Sequence, residues 1–202
     1  MNLNPAEIRV LGALMEKDMT TPEYYPLSLN ALVNACNQKT NRDPVVAFDE
    51  PTVREALEGL RGLNLARAAR GDSRVTKYEH SIGDAYNFGR GEMAAICVLL
   101  LRGPQTMGEI RERTQRMHEF LDMESLESCL RRLAERDPPL VRKLAKQPGW
   151  KEMRYTHLFG DVVLTSVPES PASAVDESRV DCLERDLEEL RREFHDFKKS
   201  FE

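Results

Sequence analysis

The chain has 202 residues with 29 Lys plus Arg against 34 Asp plus Glu, a formal charge of −5, and a length that allows one or two small domains. A net acidic balance taken alone argues against a nucleic-acid binder. Its distribution changes that reading, because residues 1–80 carry 10 basic and 11 acidic side chains, residues 81–160 carry 13 and 11, and residues 161–202 carry 6 and 12.

The chain opens with Asn4-Pro5-Ala6-Glu7, a capping residue, a proline at the first helical position and an acid at the third. Ile8, Leu11 and Met15, with Val10 and Leu14, give the spacing of an amphipathic helix running to about Asp18. The segment Thr21-Pro22-Glu23-Tyr24-Tyr25-Pro26 cannot continue it. Ser28 then caps a second helix with Leu29, Leu32, Val33 and Cys36 inward. A polar loop over 37–48, unusually long for a helix-turn-helix, leads to Asp49, which caps a third helix with Val53, Leu57, Leu60 and Leu63 inward. Gly59 and Gly62 lie in this helix and imply either close approach of another backbone or an early helix end. Strands over Leu65–Arg70 and Arg74–His80, joined at Gly71-Asp72-Ser73, complete a β-hairpin.

The pattern then repeats. Met93, Ile96, Cys97 and Leu100 line a helix that stops at Arg102-Gly103-Pro104, and Thr106-Met107-Gly108-Glu109 is a capping box for a short helix reaching about Arg116. Asp122 caps a helix from Met123 to Arg136, and Leu140–Lys146 with Trp150–Leu158 form a second hairpin. Val53, Leu57 and Leu60 align with Leu126, Leu130 and Leu133, LARAAR with LVRKLA, and Tyr78-Glu79-His80 with Tyr155-Thr156-His157. The offset grows from 73 to 77 residues, so the differences fall in turns, where insertions are tolerated. The equivalence of His80 and His157 implies a structural role for both at a strand end.

The predicted fold class is mainly α with small β-hairpins: winged-helix domains over residues 1–82 and 88–160, a flexible linker rich in Pro, Ser and Ala over 161–178, and a helix over 179–202. In that last segment Val180, Leu183, Leu187, Leu190, Phe194, Phe197 and Phe201 alternate at spacings of three and four, a heptad seam. Flanking charges of opposite sign favour a parallel homodimer through this seam.

Cys36, Cys97 and Cys129 sit among apolar residues at helical spacing and read as core; no Cys-x-x-Cys or His/Cys cluster suggests zinc, another metal or a disulfide framework. No phosphate-binding glycine loop, His-Glu-x-x-His or Gly-x-Ser-x-Gly motif occurs, so neither an enzyme nor a cofactor is expected. No leader pattern opens the chain and no apolar run approaches the ~18 residues of a membrane span, so a cytoplasmic protein is expected.

The stretch LNPAEIRVLGALMEKDMTTPEYYPLSLNALVNACNQKTNRDPVV, continued by the first hairpin, resembles the YceH-like family of uncharacterised bacterial proteins, over about residues 3–160. The resemblance implies a tandem winged-helix fold and carries no residue role with it.

Charge is densest in the hairpins. Arg67, Arg70, Arg74 and Lys77 face only Asp72 in the first; Arg142, Lys143, Lys146, Lys151 and Arg154 face only Glu152 in the second. Wings carrying such charge would meet phosphates and bind duplex DNA in a salt-sensitive way. The loop residues Lys39 and Arg42 are the other candidates for nucleic-acid contact. The helix beginning at Asp49 places Glu55 and Glu58 beside Arg54 and Arg61, which suits phosphate poorly. The functional expectation is a transcription-related DNA-binding protein; the alternative is a protein-binding adaptor of the kind used in chromosome-segregation complexes, an analogy of architecture.

Overall fold

Two continuous buried runs, one in each repeat, organise the described residues, which in the computed structural model are 2–69, 75–145 and 152–160. The first is Arg9–Met15 of helix α1 (Pro5–Thr20), whose start is fixed by the Asn4 side chain accepting from the Ala6 and Glu7 amides while the Glu7 carboxylate accepts from the Asn4 amide. The second lies within α5 (Arg90–Arg102), where every residue from Glu92 to Leu101 is buried. A helix apolar on all sides must be covered on all sides. Its own repeat covers one side of α5, and α1 covers the other.

Between these helices the chain runs through a single 3₁₀ turn (Pro22–Tyr24), β1 (Leu27–Ser28), α2 (Leu29–Cys36), α3 (Glu50–Gly62), β2 (Ala66–Ala68), β3 (Lys77–His80) and α4 (Ile82–Tyr86). After α5 come β4 (Gln105–Thr106), α6 (Met107–Thr114), α7 (Met123–Ala134), β5 (Val141–Lys143) and β6 (Arg154–His157). The protein is therefore mainly helical with two three-stranded antiparallel sheets, ordered β1-β3-β2 and β4-β6-β5. The sequence pattern predicts hairpins alone. Each gains a third strand of two residues whose second residue, Ser28 or Thr106, is also the cap of the following helix, too short to show an alternation. Helix α4 is likewise absent from the sequence reading, as five residues are too few for a periodic signal.

The register makes the duplication explicit. Ala66, Arg67 and Ala68 pair with His80, Glu79 and Tyr78; Val141, Arg142 and Lys143 pair with His157, Thr156 and Tyr155. Leu27 and Gln105 meet the two tyrosines, while Ser28 and Thr106 meet Lys77 and Arg154.

Both repeats feed one contiguous hydrophobic core. At its centre α1 crosses α5 closely enough that a Cβ added at Gly12 would lie 2.9 Å from Leu101 Cδ2, and the Cys97 thiol reaches the Gly12 carbonyl at 3.5 Å. The Leu3 amide donates to the Phe159 carbonyl at 2.7 Å, tying the start of the first repeat to the end of the second.

Gly59 is explained by a close approach, though to a side chain rather than a backbone: the Glu7 carboxylate of the α1 capping box occupies the space of a Cβ there. Gly62 has nothing within 4 Å and is the last residue of α3, a plain helix end. His80 joins α1 to the sheet, with Nε2 3.3 Å from the Asp18 carboxylate and its amide donating to the Tyr25 hydroxyl at 2.7 Å. His157 is buried against Phe159, whose amide points at Nδ1 from 3.4 Å. Both histidines hold strand ends, as their repeat positions imply.

The predicted hairpin residues Arg70, Arg74, Lys146 and Lys151 lie outside the described residues, as do Trp150, the predicted linker over 161–178 and the predicted seam residues Val180, Leu183, Leu187, Leu190, Phe194, Phe197 and Phe201.

Candidate nucleic-acid interface

The two repeats place a helix and a hairpin in corresponding positions but charge them differently. In the first, Arg67 sits directly across the ladder from Glu79, and its Nε meets the Glu79 carboxylate at 2.7 Å while Nη1 lies 3.4 Å from that of Asp84. That guanidinium, though exposed, already faces two acids. In the second repeat the equivalent Arg142 is paired with Thr156, which has no charge. Arg142 is exposed and has no carboxylate partner among the described residues. Beside it the Lys143 ammonium lies 5.7 Å from the centre of the Tyr155 ring, a contact that orients the cation without cancelling its charge. One substitution across a ladder, Glu79 to Thr156, thus separates a neutralised hairpin position from an open one.

The remaining strand cations divide in the same way. Lys77 is exposed on β3 and makes no ion pair among the described residues. Its counterpart Arg154 is half-buried and donates from Nη1 to the Pro104 carbonyl at 2.9 Å and to Glu109 at 3.0 Å, so it closes the sheet onto α6.

The helices preceding the hairpins follow suit. On α3, Arg54 pairs with Glu50 at 2.5 Å and Arg61 with Glu58 at 2.8 Å, which leaves Glu55 as uncompensated charge on its exposed face. On α7, Arg131 is exposed and makes no ion pair among the described residues, whereas Arg132 reaches back to Glu92 at 3.5 Å. Arg136 donates to the Tyr86 carbonyl at 2.6 Å, lies over the Phe88 ring and approaches Glu92 at 3.4 Å. Arg132 and Arg136 therefore compensate a buried acid.

The polar loop over 37–48 corrects an expectation. Lys39 is exposed, as a contact residue requires, but Arg42 is only 6% exposed. Its Nη1 and Nη2 engage the two Glu16 carboxylate oxygens at 3.0 and 2.6 Å, and Nε and Nη2 donate to the Ala35 carbonyl at 3.3 and 2.9 Å. Further bonds reach the Asn41 carbonyl and the Gln38 side chain. With its donors consumed, Arg42 fastens the loop and is unavailable to a phosphate. Arg9 does the same from the core, donating to the carbonyls of Cys36 at 3.3 Å and Pro44 at 2.6 Å. Burial, then the nearby Arg42 charge, lowers the Arg9 pKa from its ordinary value. Asn37 closes the loop, exchanging two hydrogen bonds with the Phe48 backbone at 2.7 and 2.8 Å. Arg9 went unnoticed because a cation in an apolar run reads as its solvent face; only the backbone carbonyls left by a long loop hint at its task.

Burial pushes the Cys36 thiol up to about 12 and that of Cys129 to about 11, and it raises Cys97 well above the ordinary range. None is poised as a nucleophile. Among the described residues no group of three or more His, Cys, Asp or Glu could hold a metal ion, and no helix is long and apolar enough to cross a membrane.

Residues 3–150 match the family described as a protein of unknown function, DUF480. A UPF0502 protein of Solibacter usitatus is 51% identical over 204 aligned positions, covering 99% of this chain and 98% of that one. Another, from Koribacter versatilis, is 52% identical and covers 93% and 90%. A third, from Pelobacter propionicus, is 48% identical and covers 100% and 99%.

Proposed function

The chain belongs to the DUF480 family, to which its YceH-like sequence features pointed, and from that premise we propose that it is a tandem winged-helix protein that binds duplex DNA in a transcription-related role. The observation that carries this reading is the open charge of the second repeat, where Arg142 faces Thr156 instead of an acid. With Lys143 beside it and Arg131 on the preceding helix, this repeat offers cations that need break no ion pair to meet a phosphate. Neutralising phosphates with such groups releases counterions and gives affinity that falls as salt rises.

The test is fluorescence anisotropy of a labelled random duplex titrated with protein at two salt concentrations. Dissociation constants of roughly 10⁻⁴–10⁻⁶ M that weaken steeply with salt support the reading. No binding at the lower salt sinks it.

A second reading is favoured by α3, whose exposed arginines are each tied to a glutamate on the same helix. That surface suits a protein partner better than a phosphate, so the first repeat would serve as an adaptor surface. A partner retained in a pull-down after nuclease treatment supports it. We also place the protein in the cytoplasm and assign homodimerisation to the heptad seam from Val180 to Phe201, on the sequence pattern. Light scattering should show the mass falling by half on truncation before Arg179.

A further inference from the structure

A cleft of about 610 Å³ opens where the end of α1 and the loop over 37–48 face the end of α5 and α6, so each repeat supplies part of its wall. Its volume falls in the range of small-molecule sites, ~300–1,000 Å³. The lining is polar and rich in cations: Lys17, Arg102, Arg113 and Arg116 against the carboxylates of Glu16 and Glu112.

The state of each charge decides what the cleft can hold. Glu16 is already engaged at both oxygens by buried Arg42, so it adds little negative field. Lys17 lies 4.0 Å from that same occupied carboxylate. Arg113 is partly compensated by Glu109 at 3.2 Å and by the Gln105 side chain. Arg116 is exposed and makes no ion pair among the described residues.

Arg102 carries the argument furthest. It donates to the side-chain oxygen of Asn41, a neutral group, and no carboxylate lies within ion-pair distance among the described residues. Asn41 is held in the left-handed region, φ 59°, which asparagine tolerates better than most residues. Burial lowers the Arg102 pKa, the charges of Arg113 and Arg42 lower it further, and Asp43 and Glu16 offset this in part. A guanidinium set among other cations, with a neutral partner, is a place where an added anion gains energy without displacing a carboxylate already bound to it, while exposed Glu112 on the same lining opposes only part of that gain.

We propose that this cleft is a binding site for a small, multiply charged anion, a phosphorylated or polycarboxylated metabolite gripped by Arg102 and Arg116 with Lys17 at its edge. The bound anion joins the two repeats across their junction, in a place separate from the wings. The site stands whether or not the protein binds DNA.

The experiment is isothermal titration of the full-length chain with inorganic pyrophosphate and, separately, with citrate, each against sodium chloride of matched ionic strength. A saturable isotherm with one site per chain and a rise in Tm is expected for at least one anion, and the tighter one identifies the anion chemistry. Arg116→Ala, an exposed position that leaves the core untouched, and Arg102→Gln, which keeps an amide donor for Asn41, should each weaken binding at least tenfold. Arg142→Ala should bind as the parent does. Heats from both anions that match the chloride control overturn the site, as do Arg116→Ala and Arg102→Gln variants that bind like the parent. An Arg116→Ala chain that loses duplex affinity where the parent shows no anion isotherm also overturns it, and moves these cations to a nucleic-acid surface.

Discussion

Arg42 and Glu16 meet through two parallel hydrogen bonds of 3.0 and 2.6 Å, with the arginine side chain fully enclosed and the glutamate mostly so. The pair joins the loop over 37–48 to α1. Removing one partner of a buried pair strands the other's charge, which costs ~3–5 kcal/mol, far more than the pair contributes as a unit. Arg42→Ala should therefore lower the urea midpoint sharply, and Arg42→Lys should recover only part of the loss because an ammonium cannot reproduce the fork. Loss of less than ~1 kcal/mol on Arg42→Ala would contradict the clasp.

The two hairpins should respond unequally to neutralisation. Removing Arg142 and Lys143 together should flatten the slope of log affinity against log salt by about 1–2, whereas Arg67→Ala should change it by less than about 0.5, its charge being already shared with Glu79 and Asp84. Equal changes in the two variants would remove the distinction drawn between the repeats.

His157 sets a pH dependence. Burial depresses its pKa to about 4, against ~6.5 in an unfolded chain. Between those values the unfolded chain takes up a proton that the folded one refuses, so stability is full above about pH 6.5 and falls by up to ~3 kcal/mol as pH drops towards 4. In urea unfolding at a series of pH values, His157→Gln should show a shallower loss than the parent across that window. Parallel curves would show that the imidazole has the same pKa folded as unfolded, and so takes up its proton in both states.

Three glycines should part company. Gly62→Ala, in open space at a helix end, should stabilise by roughly 0.5 kcal/mol through backbone entropy. Gly59→Ala should be near neutral, because the helix-propensity gain of ~1 kcal/mol is offset by moving the Glu7 carboxylate out of the α1 cap. Gly12→Ala should destabilise by ~1–3 kcal/mol, since Leu101 is enclosed and cannot yield. Thermal unfolding of the three variants orders them directly.

The thiols of Cys36, Cys97 and Cys129 should resist alkylation in the folded protein at neutral pH and react on addition of denaturant, since burial holds them protonated. Mass spectrometry of labelled peptides locates the sites. Rapid native labelling at any of the three would mean that its helix opens readily.

Repetition and capping made the helices legible. The Asn4 and Thr106 capping boxes and the Asp49 and Asp122 caps fall where side-chain chemistry alone puts them, and within the alignment of LARAAR with LVRKLA the pairing of Ala66-Arg67-Ala68 with Val141-Arg142-Lys143 is reproduced in the strand registers. What stayed hidden depends on contacts between distant segments. Arg42 looks like a surface cation until Glu16, 26 residues away, is brought to it. The cleft cations Arg102 and Arg116 belong to separate segments, and no spacing rule links them to Asn41. The burial of α5 does have a signal in the sequence: Met93 to Leu101 is nine consecutive apolar residues, too many for a helix with a wet side.

The contact of Gly12 with Leu101 bears on ancestry and on expression alike. Since α1 and α5 each supply part of the other repeat's interior, the copied segment and the smallest autonomous folding body are different things: inheritance counts one repeat, solubility counts two. A gene fragment ending at residue 82 should leave the apolar flank of α1 bare and aggregate when produced alone, and it should become soluble when produced together with residues 83–160 as a separate chain. Such a pair, reassembled without a peptide bond between them, would stand for the ancestral homodimer from which a fused gene of this kind can arise.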